Sequence, residues 1–539
     1  MISINLVVFL VLSSLTSNLI IVNCASQILK QNVDIDLSSY DKSNRSTNVF
    51  IRYLNLAEGN AVVNIRNVPN NQGFFVIQLH NLYANISLST TPNLLPKTFI
   101  TGTNIGLVQR DLSSTKTYQY YVQYREQPSF KILLALIVYE KTDPIPGGCN
   151  MIFNNEDAPY QLVSYNDNII KVEMQPSFVN GYPCELNLAK LQMYQMYLYE
   201  RNLDDSLYFD GILKMLTVEN IRANGRLIPE PIGHPIVRRF FSAYPGTGRV
   251  YAVVATYKNY SSAYVPAATY ACDISNWDEN CVGPVTVGWK ILCAIILFMG
   301  LFTCYFGHRF FKTQMFIFGF VFGGFISYVS ASVADTLSVG ESLGISLIFG
   351  FIYGAVWIVF WWRFGSPILS VFLPVAFIGY IASCIVFYAG VGDFQIFQSD
   401  INYWGIFFSI LIPITVLLLI ATMLANILAC SVLGATAVTV AVDHYVGGNL
   451  HYIILNNIRR ATVAHFNLAV TDPPFQYRDI VLTVLWLLLI LTGVYAQLRQ
   501  QRGKPPFPPP TLSSLRNNTE RTPLLSGSNR SPNNSYSNA

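Results

Sequence analysis

The chain has 539 residues, 52% hydrophobic and only 12% charged, whereas a soluble domain carries roughly 25% charge, so a large part of it belongs in lipid. Its formal net charge of +4, with no Lys/Arg stripe in the front half, gives no ground for nucleic acid as a partner. Residues 26–284 have the mix of an ordinary folded protein, while 285–498 are mostly apolar.

Residues 1–25 open with "LVVFLVL" and run on through "NLIIVNCAS", which reads as a secretory signal cleaved near Cys24 or Ala25. Ser13, Ser14, Thr16, Ser17 and Asn18 interrupt the apolar run well short of a span.

Residues 26–284 alternate apolar and polar at period two in short pieces such as "GFFVIQLHNL", "TYQYYVQY", "FKILLALIVYE" and "GRVYAVVATY". Val, Ile, Tyr and Phe fill them, and Asn, Gly, Pro and Asp separate them, the pattern of strands and turns. Short strands at this spacing predict β-sandwiches. The length suits two domains, 26–142 and 143–284, divided at "DPIPGGCN". Sequons at Asn44, Asn85 and Asn259 predict exposed glycosylation sites in a luminal or extracellular compartment. In that compartment Cys149, Cys184, Cys272 and Cys281 predict two disulfides with three possible pairings. The most local pairing, Cys149–Cys184 and Cys272–Cys281, is favoured. Cys293, Cys304, Cys384 and Cys430 fall in apolar spans, where a thiol packs as a small hydrophobe. The Tyr-rich "LQMYQMYLYERN" reads as a sandwich strand, or as a partner-binding face. His80 and His234 stand alone and read as structural histidines. No spacing suited to a metal or a cofactor occurs.

Seven apolar segments, near 285–306, 314–334, 342–362, 367–391, 403–421, 427–447 and 480–498, each reach the length a helix needs to cross a bilayer. The expected fold is therefore an all-β luminal or extracellular region of two β-sandwich domains followed by an α-helical bundle of seven transmembrane helices. His308, Arg309, Lys312 and Arg363 fall in links assigned to the cytosol, as do the tail cations. The first two links on the other side contain no Lys or Arg, so the counts fit a luminal front half and a cytosolic C-terminus. The third such link, 448–479, departs from this with Arg459, Arg460 and Arg478, and its "LHYIILNNIRRATVAHF" is expected to lie apolar face down on the bilayer. Trp289 and Trp404 suit one aromatic belt, and Trp361 and Trp362 the other.

Within the spans, Asp443 and His444 form the one candidate polar membrane site, read as a structural pair in preference to a proton or ion site. The GxxxG pairs Gly319–Gly323 and Gly350–Gly354 predict close approach of the second and third helices. No H-E-x-x-H, G-x-S-x-G or P-loop sequence occurs, and the reading is non-enzymatic.

Residues 499–539 are polar and rich in Pro, Ser and Asn, the composition of a disordered tail. Arg502, Pro505 and Pro508 in "RGKPPFPPP" have the spacing of a polyproline ligand for an SH3-type domain. Glu520, Leu524 and Leu525 in "ERTPLL" match an acidic dileucine sorting signal read by cytosolic adaptors.

"DPIPGGCN", "AYVPAATYAC", "FGHRFFKT", "WWRFG", "PFQ", "RGKPPFPPP" and "ERTPLL" occur in this order between residues 143 and 525. In this set the chain resembles the transmembrane seven superfamily member three family. The resemblance implies a multi-pass glycoprotein linked to cell survival and to attenuation of endoplasmic-reticulum stress, with no catalytic residues, cofactor or ligand to carry over. The expected function is partner binding by the luminal β domains. The alternatives are an orphan surface receptor signalling through tail adaptors, or a transporter or channel. The expected compartment is the plasma membrane or the endosomal and lysosomal membranes.

Overall fold

A computed structural model describes residues 31–508 apart from 39–48, 57–58, 70–71, 114–115, 125–129, 151, 200, 230–237, 282–286 and 334–337. The signal over 1–25, Asn44, His234 and the sorting residues Glu520, Leu524 and Leu525 lie outside the described residues.

The front half forms a head of two β-sandwiches. In the first, a five-stranded sheet runs in the order Gln31–Asp36, Gly59–Arg66, Tyr118–Tyr124, Ile86–Ser89, Phe99–Gly102. It faces a four-stranded sheet in the order Phe50–Leu56, Phe130–Glu140, Gln72–His80, Asn104–Gln109. Alternation in "YQYYVQY" turns Tyr118, Tyr120, Val122 and Tyr124 inward, as period two requires. Phe130–Glu140 does not alternate, and residues Ile132 through Tyr139 are all buried. Its Leu134 faces the first core, while Leu133 joins the core of the second domain. A strand covered on both faces reads as a continuous apolar run, and each such Leu or Ile contributes about 1.5–3 kcal/mol on burial.

In the second sandwich one sheet orders Leu162–Tyr165, Ile169–Glu173, Arg238–Ser242 and Ala469–Val470. The other orders Arg226–Leu227, Lys190–Tyr197, Arg249–Tyr257 and Tyr260–Ala263, with Ala267–Thr269 also on Arg249–Tyr257. Disulfides join Cys149 to Cys184 and Cys272 to Cys281, the local pairing. Two short helices, α1 (Asp205–Lys214) and α2 (Val218–Asn224), were not foreseen. Asp204 accepts from Ser206 N to start the first, and Thr217 accepts from Asn220 N to start the second. α1 locks the sandwiches together. Phe209 meets Tyr53 edge to face at 5.6 Å, and the Tyr208 hydroxyl donates to Asn81 O at 3.0 Å.

Among the described residues, the back half holds seven helices long and apolar enough to cross a membrane. They are α3 (Val287–Phe306), α4 (Phe311–Val333), α5 (Val339–Phe364), α6 (Pro367–Tyr388), α7 (Asp400–Leu419), α8 (Thr422–Val446) and, after the shorter α9 (Tyr452–Thr462), α10 (Tyr477–Gln501). α8 is the hub, with 67% of its apolar window buried against 17% for α4, α5 and α7. Its small residues allow this. A Cβ on Gly434 would stand 2.7 Å from Cys304 Cα of α3. The GxxxG pairs act within the chain, since a Cβ on Gly319 would lie 2.9 Å from Gly354 Cα. Trp361 is not a belt residue: it is buried against Phe311, whereas Trp362 is exposed.

Candidate functional site at the junction of head and bundle

The links on the head side of the bundle are woven into the second sandwich. Two residues of the α9–α10 link, Ala469 and Val470, pair in parallel with Phe240 and Phe241 and form the edge strand of a head sheet. Backbone pairing at an open sheet edge satisfies N–H and C=O groups that would otherwise need water. The next residues fix the register. Thr471 O accepts from the Tyr244 hydroxyl, and Asp472 O accepts from the Tyr197 hydroxyl.

Asp472 ties three chain segments into one knot. Its carboxylate accepts from Gln195 Nε2 and pairs with Arg226, both of the head. Its backbone N–H donates to Asp393 Oδ2 at 2.9 Å. Asp393, in the α6–α7 link, also accepts from Thr471 N at 2.6 Å and Thr471 Oγ1 at 2.8 Å. Burial pushes the Asp393 carboxyl up from its usual range, and the donors from Thr471 and Asp472 oppose that. Beneath the knot lies Arg249, 1% exposed, with its guanidinium 4.5 Å from the Tyr197 ring and 5.3 Å from the Tyr244 ring. Such a cation is tolerated in a core where aromatic faces and hydrogen bonds replace its water.

α9 makes the second tie. Its apolar Ile453 and Ile454 settle among the ends of the spanning helices, and its polar face enters the head. Arg459 donates to Asp167 O at 2.7 Å, Ala243 O at 2.8 Å and Asn168 Oδ1 at 3.0 Å. Burial lowers its pKa, yet its partners are carbonyl oxygens, which suit a planar fork of donors. Asn456 accepts from Ser242 Oγ at 2.9 Å and donates to the Tyr244 hydroxyl at 3.0 Å. The expectation that this segment lies apolar face down on the bilayer is corrected in one respect: its polar face is buried in the head, while its apolar residues are half-buried at the ends of the spanning helices. Arg460 turns the other way and pairs with Asp400 at 2.7 Å.

Of the candidate polar membrane pair, only Asp443 is engaged as expected of a buried carboxylate, and not with His444. It accepts from His451 N at 3.1 Å and His451 Nδ1 at 2.6 Å. His444 is half-buried beside Tyr445. Both residues sit at the head-side end of α8, close under the junction and not midway across the bundle.

The other sequence-predicted residues lie apart. Asn85 is exposed before strand Ile86–Ser89, and Asn259 is exposed in the turn between Arg249–Tyr257 and Tyr260–Ala263. Arg502 and Pro505 are exposed at the far end of the bundle and Pro508 is half-buried. Between them Phe507 packs on Phe311 at 5.2 Å and His308 at 5.8 Å. His308 is itself 6% exposed and contacts Asn426 Nδ2 at 2.8 Å, so the short basic link hides its histidine.

Three family models match the chain: the TM7SF3-like N-terminal immunoglobulin-like domain over residues 42–139, its second immunoglobulin-like domain over 144–275, and the TM7S3/TM198-like domain over 293–498. Transmembrane 7 superfamily member 3 of Rattus norvegicus is 32% identical over 486 residues, 87% of this chain and 86% of that protein. The chain belongs to this family. The relative from Homo sapiens is 29% identical over 473 residues, 85% of this chain and 83% of that protein. The family's two immunoglobulin-like matches correspond to the two sandwiches of the head, and its third match to the bundle. The junction lies where the second and third meet.

Among the described residues no group of three or more His, Cys, Asp or Glu side chains is placed to hold a metal. The residues that make the junction, Asp472, Asp393, Arg249 and Arg459, were missed by the sequence reading. One signal was available: Arg459 and Arg460 broke the charge bias of the head-side links.

Proposed function

We propose that this membrane protein of the transmembrane 7 superfamily member 3 family is non-enzymatic, acts in the secretory pathway and attenuates endoplasmic-reticulum stress. Its immunoglobulin-like pair faces the lumen or cell exterior and binds a protein partner there, and the tail is cytosolic. The observation that carries this reading is the junction. Because Ala469–Val470 completes a head sheet and Asp472 joins head and links, a partner on the head loads the spanning helices through these contacts.

A groove of about 1260 Å³ supports the choice of partner face. Phe99, Ile152, Phe153 and Phe240 supply apolar surface, Lys97 and Arg238 supply charge, and Gln398 and Leu468 of the links extend it toward the bundle. Ile152 is 74% exposed, and an exposed apolar anchor with a charged rim is how a protein interface is built. In this reading Asn44, Asn85 and Asn259 carry glycans. The tail supplies the sorting residues Glu520, Leu524 and Leu525 and the polyproline stretch to cytosolic adaptors and SH3-type domains, at the plasma membrane or in endosomes and lysosomes.

The test is a glycosylation-blocker challenge of cells lacking the protein, read by an unfolded-protein-response reporter and by survival. A stronger response, rescued by the intact chain but not by Ile152→Asp, is expected. A response equal to that of normal cells rejects the stress role. Full rescue by Ile152→Asp rejects the groove as the partner face.

A further inference from the structure

Under the junction a cleft of about 450 Å³ opens among α6, α8, α9 and α10, within the roughly 300–1,000 Å³ typical of ligand sites. Ile381, Ile385, Val440, Ile454, Thr439 and Trp486 line it, and Arg226 and Asp472 close its head-side mouth. α6 and α10 both pack on α8 but not closely on each other, so the gap between them faces lipid. Its depth matches one leaflet. Thr439 lies seven residues below Val446 and Trp486 nine below Tyr477, about 10 and 14 Å down at about 1.5 Å per residue. Half of a hydrocarbon core about 30 Å thick is about 15 Å.

Two polar features distinguish this cleft from a packing defect. Thr439 is 4% exposed, and its Oγ1 lacks a hydrogen-bond partner. Thr415 and Thr436, by contrast, donate to the carbonyl four residues back, each at 2.8 Å. An unpaired hydroxyl in hydrocarbon is costly, and the cleft that Thr439 lines is the space from which an acceptor satisfies it. At the mouth, Arg226 gives NH1 to Asp472 yet its side chain is 61% exposed, leaving donors free in the headgroup layer.

We infer that this cleft binds one glycerophospholipid of the head-side leaflet. One acyl chain lies between α6 and α10, an ester oxygen accepts from the Thr439 hydroxyl, and the phosphate sits on the free donors of Arg226. Asp472 does not repel it, because Arg226 and Gln195 already hold that carboxylate. A bound lipid then becomes part of the junction, since the guanidinium that holds its phosphate also holds the knot.

The test is photolabelling of the full chain in phosphatidylcholine nanodiscs doped with a phosphatidylcholine carrying a diazirine on one acyl chain, with a diazirine sterol as the second arm. Label is expected on peptides spanning Ile381–Ala389 and Thr439–Val440, above that on the α5 reference. Val440→Trp, which fills the cleft, should cut this labelling at least fivefold, and the isosteric Thr439→Val should cut it at least twofold. Label on the lipid-facing residues of α5 serves as the internal reference and should not change in either variant. The inference is overturned if labelling is uniform over α5 and the cleft, if neither variant changes it, or if only the sterol labels the cleft.

Discussion

Asp472 and His80 show what single buried groups do in this protein. The Asp472 side chain is 8% exposed and meets Arg226 and Gln195. Asp472→Ala leaves both donors without their acceptor while the backbone ties remain. Arg226 is 61% exposed, so losing that pair costs about 0–1 kcal/mol, and leaving the buried Gln195 amide without its acceptor costs about 1–3 kcal/mol more. The expected outcome is a lower thermal midpoint for the full chain in detergent, with proteolytic cleavage appearing first in the α9–α10 link. His80 is fully buried and contacts Asn104 Oδ1 through Nδ1 at 2.8 Å, and burial pushes it from 6.5 down to about 4. The unfolded chain therefore takes up a proton between these values and the folded chain does not. Stability is constant above about pH 6.5, falls as pH drops toward 4, and levels off below, with a ceiling of about 3 kcal/mol. Hydrogen exchange of strand Gln72–His80 in the full chain should speed up from pH 7 to pH 5 beyond its intrinsic pH dependence, and His80→Gln should remove the excess.

At the scale of elements, the spans were legible because a bilayer imposes one length and one composition on every crossing helix. The expected segment 342–362 grew to Val339–Phe364 because Ser338 and Glu341 form a reciprocal cap, a short-range pattern that a hydropathy window averages away. The glycine pairs were legible too, since a Cβ on Gly319 would lie only 2.9 Å from Gly354 Cα. Gly319→Leu is expected to force α4 from α5 and lower the thermal midpoint by several degrees, with the oligomeric state unchanged in light scattering. A dimer that dissociates on this change would place the glycines between copies instead. The strand Ala469–Val470 was not legible. At two residues it carries no periodicity, and its pairing depends on an edge more than two hundred residues away in sequence.

For the whole molecule, the sequence announced a β head, seven spans and the local disulfide pairing, and the described residues show two sandwiches, seven helices long and apolar enough to cross a membrane, and that pairing. What it concealed is that head and bundle are one folded unit. The residues responsible, Asp393 and Asp472 in links, Arg459 on α9 and their partners on head strands and turns, are scattered singly along the chain, where only tertiary contact gives them meaning. The unity is measurable. Amide exchange of Arg238–Ser242 and of the 466–472 link should be protected together in the full chain, and Asp472→Ala should expose both without exposing strand Phe130–Glu140. Protection that survives in the strand alone would mean the two halves open independently.

The edge strand also sets an order on biosynthesis. Arg238–Ser242 leaves the ribosome 228 residues before Val470, which at about 5–20 residues per second is a delay of about 10–45 s. From the emergence of Cys281 onward, the second immunoglobulin-like domain has its disulfide cysteines and every strand of its two sheets except the last. The bare edge is an adhesive for other chains, and α8 must be in place before the 448–476 link is at hand to cover it. Completion of the head thus waits on the chain that follows α8, so the second immunoglobulin-like domain is finished only after six of the seven long apolar helices have been made.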